Sequence, residues 1–98
     1  MLVELSVIPV GRGTHIADDI AEVVRIIQDS GLPFLLTPSA TCLEGDWAEV
    51  MPVIRLCHER MRGRCAHVVT LIKIEDDAGA GNKLRENVAS VQAKLQGG

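Results

Sequence analysis

Aromatic side chains are nearly absent from this 98-residue chain: Phe34 and Trp47 are its large rings, and there is no tyrosine. A core without rings must be built from Val, Ile, Leu and Ala, which supply most of a 47% apolar content. So much aliphatic surface is hard to hide within one small copy, so self-association is expected. One-sided charge is missing too, since ten Lys and Arg stand against thirteen Asp and Glu, for a net charge of −3. The one basic concentration is His58-Glu59-Arg60 with Arg62 and Arg64. It is short, interrupted by an acid and without interleaved rings, so a nucleic-acid partner is disfavoured. A solvated helix C-terminus, where cations are favoured, accounts for it.

Cysteine is scarce and odd in number: Cys42, Cys57 and Cys65. With no C-x-x-C spacing and no leader-like segment, this predicts a reducing, cytoplasmic setting. Cys57-His58 with Cys65 and His67 fits no familiar zinc spacing, and adjacent helical residues point about 100° apart. These read as buried thiols and surface imidazoles, with no metal expected. No apolar run approaches the ~20 residues that span a membrane. Catalytic signatures are lacking as well. Ser6 and Ser39 have no G-x-S-x-G context, and His15, His58 and His67 fall on different elements, so no nucleophile–base pair is visible. Gly11-Arg12-Gly13-Thr14 lacks both the dinucleotide fingerprint and the P-loop lysine. It reads as a tight turn with Thr14 as N-cap, an anion contact at the helix start being the weaker alternative.

What is present is regular periodicity. Residues 2–9 alternate as a strand with Val3, Leu5 and Val7 inward and Glu4, Ser6 and Ile8 outward. A helix follows from about His15 to Ser30, with a stripe of Ile16, Ile20, Val23, Val24 and Ile27, and Asp18 and Asp19 near its positive end. Gly31 terminates it. Strands are predicted at 34–37 and 40–44, separated by Pro38-Ser39. Asp46 followed by Glu49 marks a capping box for a second helix, about Trp47 to Arg62, burying Val50, Val53, Ile54, Cys57 and Met61. Pro52 should bend that helix and Gly63 should end it. His67 to Glu75 is the longest and most β-branched strand, with Val68, Thr70, Ile72 and Ile74 inward. After a polar, glycine-rich loop, Lys83 to Gln96 forms a last helix with a thin stripe of Leu84, Val88, Val91 and Leu95, suited to another helix or subunit.

The order β-α-β-β-α-β plus a C-terminal helix predicts one α+β domain over residues 1–98. Its form is a ferredoxin-like split βαβ sandwich, with a four-stranded antiparallel sheet and both main helices on one face. The other sheet face needs a partner. Glu4 and Ser6, with Val69, Leu71, Lys73 and Glu75, are placed there, while the facing of Thr37, Thr41 and Glu44 is open. Hydroxyls and carboxylates on an apolar surface orient small polar ligands. A dry subunit interface with a Glu4–Lys73 pair explains the same residues, and the pattern leaves both readings standing.

Three segments, taken together, carry a family resemblance. They are Val3 to Pro9 with Gly11 and Gly13, Leu36-Thr37-Pro38 through Leu43-Glu44-Gly45, and Val68-Val69-Thr70 through Ile72-Lys73-Ile74. In order and spacing the chain resembles the small thiamine-binding protein family along nearly its whole length. The resemblance implies a ferredoxin-like subunit whose sheets pair face to face, as a homodimer or homotetramer. It further implies that thiamine or its hydroxymethylpyrimidine portion is bound without chemistry, with no other cofactor. Ser6, Thr37 and Glu44 match motif positions and have groups that suit an aminopyrimidine edge. Glu4 or Glu44 would suit a thiazolium cation, as would the ring of Trp47 or Phe34. A structural or regulatory assembly module without a ligand is the alternative. A small dimeric ferredoxin-like enzyme, such as a cofactor-free oxygenase, is the third.

Overall fold

A computed structural model describes residues 1–13, 16–79 and 81–97. The expected Thr14 cap and His15 helix start lie outside the described residues. The strands are β1 (Leu2–Pro9), β2 (Phe34–Leu36), β3 (Thr41–Glu44) and β4 (Val68–Glu75), and the helices α1 (Ile16–Asp29), α2 (Trp47–Arg64) and α3 (Lys83–Gln96). The sheet order is β2-β3-β1-β4 with every pairing antiparallel. This is the expected α+β arrangement, with α1 and α2 packed against each other on one sheet face.

Alternation along β1 sets the core. Val3, Leu5 and Val7 are at most 3% exposed, and they meet Leu43 from β3, Val23 and Ile27 from α1, and all five residues expected from α2. Each such aliphatic side chain withdrawn from water contributes about 1.5–3 kcal/mol. The capping box forms as its residues predict: Glu49 N–H donates to Asp46 Oδ1 at 2.8 Å, and Asp46 N–H donates to Glu49 Oε1 at 3.0 Å.

Helix α2 runs through Pro52 and past Gly63 to Arg64, so Gly63 is not its terminator. The Cys65 N–H still reaches Met61 O at 2.9 Å, which keeps the last turn closed through the glycine. The β4 register places Thr70, Ile72 and Ile74 opposite Val7, Leu5 and Val3, as the alternation predicts. Ile72 and Ile74 nevertheless stay about 40% exposed, because β4 is an edge strand and the helices cover its neighbour β1 more fully. Where α2 does reach β4, His58 Nδ1 lies 2.6 Å from Thr70 Oγ1.

The basic stretch at the end of α2 is not a merely solvated terminus. Arg64 Nε donates to Asp19 Oδ1 at 2.8 Å, Arg12 Nε donates to Asp19 Oδ2 at 2.9 Å, and Arg60 donates to Glu22 at 3.0 Å. Asp19 is fully enclosed and ties the β1–α1 turn to both helices. Gly11 and Gly13, both at positive φ, let that turn fold back so that Arg12 can reach it. The hydrogen bonds from Arg12 and Arg64 hold the Asp19 carboxyl below its ordinary range. A depressed folded-state pKa contributes stability above the unfolded value, about 3.9, and that contribution is lost as pH falls through the folded value. Asp19→Asn is therefore expected to melt earlier than wild type at pH 7. The two melting temperatures should converge on acidification below about pH 4, as read by thermal melts.

Helix α3 stands apart. It buries no residue, and Val88, Val91 and Leu95 are 50–78% exposed. It stretches the molecule to 47 Å, with a radius of gyration of 14.9 Å where about 13 Å is usual for such a length.

Candidate functional site

The site originates in a pairing that stops early. The β1–β3 ladder runs from Leu2–Glu44 to Leu5–Thr41 and goes no further, while β1 continues to Pro9 alongside β4. Beyond Thr41 the chain is pulled into the β2–β3 turn by Thr37. Its hydroxyl donates to Ala40 O at 2.9 Å and accepts from Ala40 N–H at 3.2 Å, and Thr37 N–H also donates to Ala40 O. Pro38 breaks the strand pattern at this point, since it has no N–H to give.

A cavity of about 420 Å³ opens between this turn, the free part of β1 and the first half of α1. Its walls are chiefly aliphatic, with Ile16, Ile20 and Val23 from α1 and Leu36 from β2. Its polar groups are the hydroxyls of Ser6, Thr37, Ser39 and Thr41. Ser6 Oγ lies 3.4 Å from Ser39 O, a long contact that leaves the hydroxyl free to turn to a ligand. The volume is in the range of small-molecule sites, and an apolar chamber with few polar groups can select a flat, partly polar molecule.

Two of the residues expected in a site, Ser6 and Thr37, meet in this cavity. The others lie elsewhere. Glu44 is at the far end of β3, only 8% exposed, and accepts hydrogen bonds from the Lys83 and Leu84 N–H groups at 2.6 and 3.3 Å. It thus satisfies the first amides of α3, an anion at the positive end of a helix. Glu4 sits on the open sheet face beside Cys42, Lys73 and Glu75, around a depression of only about 60 Å³. Trp47 opens α2 and is 61% exposed. Ser39 is not among the expected site residues, and Thr41 is expected only as a hydroxyl of open facing; both border the cavity. The signal for them was the run of hydroxyl residues Thr37-Pro38-Ser39-Ala40-Thr41, whose facing only the pairing pattern resolves.

Among the thiols, burial pushes Cys57 up to about 11, and its Sγ rests 3.7 Å from Val23 O. Such a thiol is a poor nucleophile at neutral pH. Cys42 is also raised, by burial and then by the charge of Glu4.

The role of Glu44 is separable by experiment. Glu44→Gln is expected to speed amide exchange in the first turn of α3 about tenfold, because a neutral amide accepts more weakly than a carboxylate. Ligand affinity should stay within about twofold of wild type, since the side chain is outside the cavity. Amide exchange followed by NMR and a parallel titration check the two halves.

Comparison with known proteins places this geometry. The family model described as "Thiamine-binding protein" matches residues 3–92. The UPF0045 protein Mb1933 of Mycobacterium bovis is 35% identical over 96 residues, spanning 97% of this chain and 94% of that one. The UPF0045 protein sll0230 of Synechocystis is 26% identical over 97 residues, 98% of this chain and 80% of that one. Among solved structures, hypothetical protein MJ1052 of Methanocaldococcus jannaschii superposes with a TM-score of 0.86 at 21% identity, over 93% of this chain and 94% of that one. A Thermotoga maritima protein with a suggested role in thiamine biosynthesis or salvage superposes with a TM-score of 0.82 at 22% identity, over 92% and 96% of the two chains. At these identities the structural matches speak for the fold.

Proposed function

Because the chain belongs to the thiamine-binding protein family, we propose that it binds thiamine or its hydroxymethylpyrimidine portion, without transforming it, as a cytoplasmic homodimer or homotetramer. The observation that carries this reading is the aliphatic cavity between α1 and the β2–β3 turn, with the hydroxyl residues Ser6 and Thr37 on its lining. Aliphatic walls suit the faces and methyl group of a substituted pyrimidine, the loosely held Ser6 hydroxyl suits its polar substituents, and Thr37 shapes the turn that walls the cavity. Glu4, Glu44 and Trp47 lie outside the cavity and take no part in it within one subunit. Three unpaired cysteines fit a reducing compartment. Among the described residues no helix is long and apolar enough to cross a membrane.

Self-association is supported by two surfaces. Ile8, Val69, Leu71 and Leu35 are 38–56% exposed on the sheet face opposite the helices, and α3 presents its stripe to solvent. These same exposed residues favour the second reading, an assembly module whose sheet face is dry interface. Calorimetric titration of ligand-free protein with thiamine and with hydroxymethylpyrimidine separates the two. Saturable heat at a fixed ratio per subunit supports the binding reading. No heat at several temperatures, with no rise in melting temperature, supports the assembly module.

A further inference from the structure

The unfinished β1–β3 ladder leaves a specific main-chain group without a partner. Val10 N–H donates to His67 O at 2.9 Å, so the even-numbered residues of β1 direct their backbone groups toward β4. On the other side, Met1 and Gly45 exchange both bonds, at 2.7 and 3.1 Å, so the odd-numbered residues direct theirs toward β3. Val3–Leu43 and Leu5–Thr41 continue that series, and the next rung would join Val7 to Ser39. That rung is not formed. Among the described residues no backbone or side-chain partner is found for Val7 on that side. Val7 is only 3% exposed and borders the cavity. Buried backbone groups are nearly always paired, and an unpaired N–H and C=O side by side against aliphatic walls cost free energy until something bonds them.

We infer that the N–H and C=O of Val7 are the recognition edge of the cavity, taking a planar heterocycle that carries a ring-nitrogen acceptor next to an exocyclic amino donor. The heterocycle completes the missing rung: its ring nitrogen accepts from Val7 N–H and its amino group donates to Val7 C=O. Ile20, Val23 and Leu36 supply aliphatic surface for the ring, and Ser6 Oγ is the adjacent hydroxyl. Selectivity then comes from the backbone, and only the inward packing of the Val7 side chain is needed to hold it. The inference rests on the binding reading above, and it names the chemical edge that the site reads.

The test follows the Val7 amide by hydrogen exchange in the full-length protein, free and saturated with 4-amino-5-hydroxymethyl-2-methylpyrimidine. A second titration uses the analogue with a methyl group in place of the 4-amino group. In the free protein, Val7 should exchange at least about tenfold faster than Val3 and Leu5, whose N–H groups are in the ladder. At saturation its exchange should slow by at least tenfold, and the analogue should bind about 10- to 100-fold more weakly. Val7→Pro removes an N–H that no ladder bond uses, so a folded variant should lose affinity to a similar degree, while Val7→Ile keeps it. Protection of Val7 equal to that of Leu5 in the free protein overturns the inference. So does binding of the aminopyrimidine with Val7 exchange unchanged or with the analogue equally tight, and in that case the binding reading survives. Absence of any binding overturns both.

Discussion

Ser39→Trp is expected to weaken binding of hydroxymethylpyrimidine at least 100-fold while moving the melting temperature by no more than a few degrees. Ser39 lies in the turn that closes the cavity, and its own side chain is exposed and outside the core. The hydrogen bonds that shape the turn belong to Thr37 and Ala40, so they survive the change. An indole covers on the order of 150–250 Å² when buried, enough to occupy much of a chamber of about 420 Å³. Its affinity for the aliphatic walls favours the inward rotamer. Titration of the variant beside wild type, with a melt of each, reads both quantities. Unchanged affinity in a folded variant would move the ligand away from this cavity.

Leu43→Ala is expected to destabilise the protein by about 2–5 kcal/mol, lowering the melting temperature by on the order of 10 °C or more. Leu43 is fully buried, faces the core from β3 opposite Val3, and pairs on its other side with Phe34. A core of thin aliphatic residues has few large neighbours able to lean into the space a leucine leaves, so the cavity persists. Because subunit association would add to apparent stability, the urea midpoints of variant and wild type are compared at one protein concentration. A loss below about 1 kcal/mol would mean that β3 is not anchored as described.

Much of this architecture is legible in residue order. The alternation of Val3, Leu5 and Val7 gives the buried face of β1, and the helical spacing of Val50, Val53, Ile54, Cys57 and Met61 gives the buried face of α2. Asp46 and Glu49 announce the start of that helix. Each of these signals is local. What escapes the sequence depends on pairing between distant residues. The rescue of Asp19 by Arg64 spans 45 positions, and the use of Glu44 as a cap for α3 spans about 40. The same holds for the site. Alternation puts Ser6 on the open sheet face, and the ligand was expected there. The cavity that Ser6 and Thr37 border lies where β3 leaves β1, a place set by the Thr37–Ala40 turn. Ser6 borders it because that departure opens the strand edge beside it. Gly63 shows the reverse error, a residue with a strong local tendency overruled by the closing bonds of the helix around it.

The most direct measurement is a chemical-shift map of the ¹⁵N-labelled protein through a titration with hydroxymethylpyrimidine. Changes concentrated in residues 5–8, 16–23 and 36–41, the lining of the cavity, are expected. Shifts centred on Glu4, Cys42, Lys73 and Glu75 would return the ligand to the open sheet face, and a silent spectrum at saturating concentration would contradict ligand binding altogether.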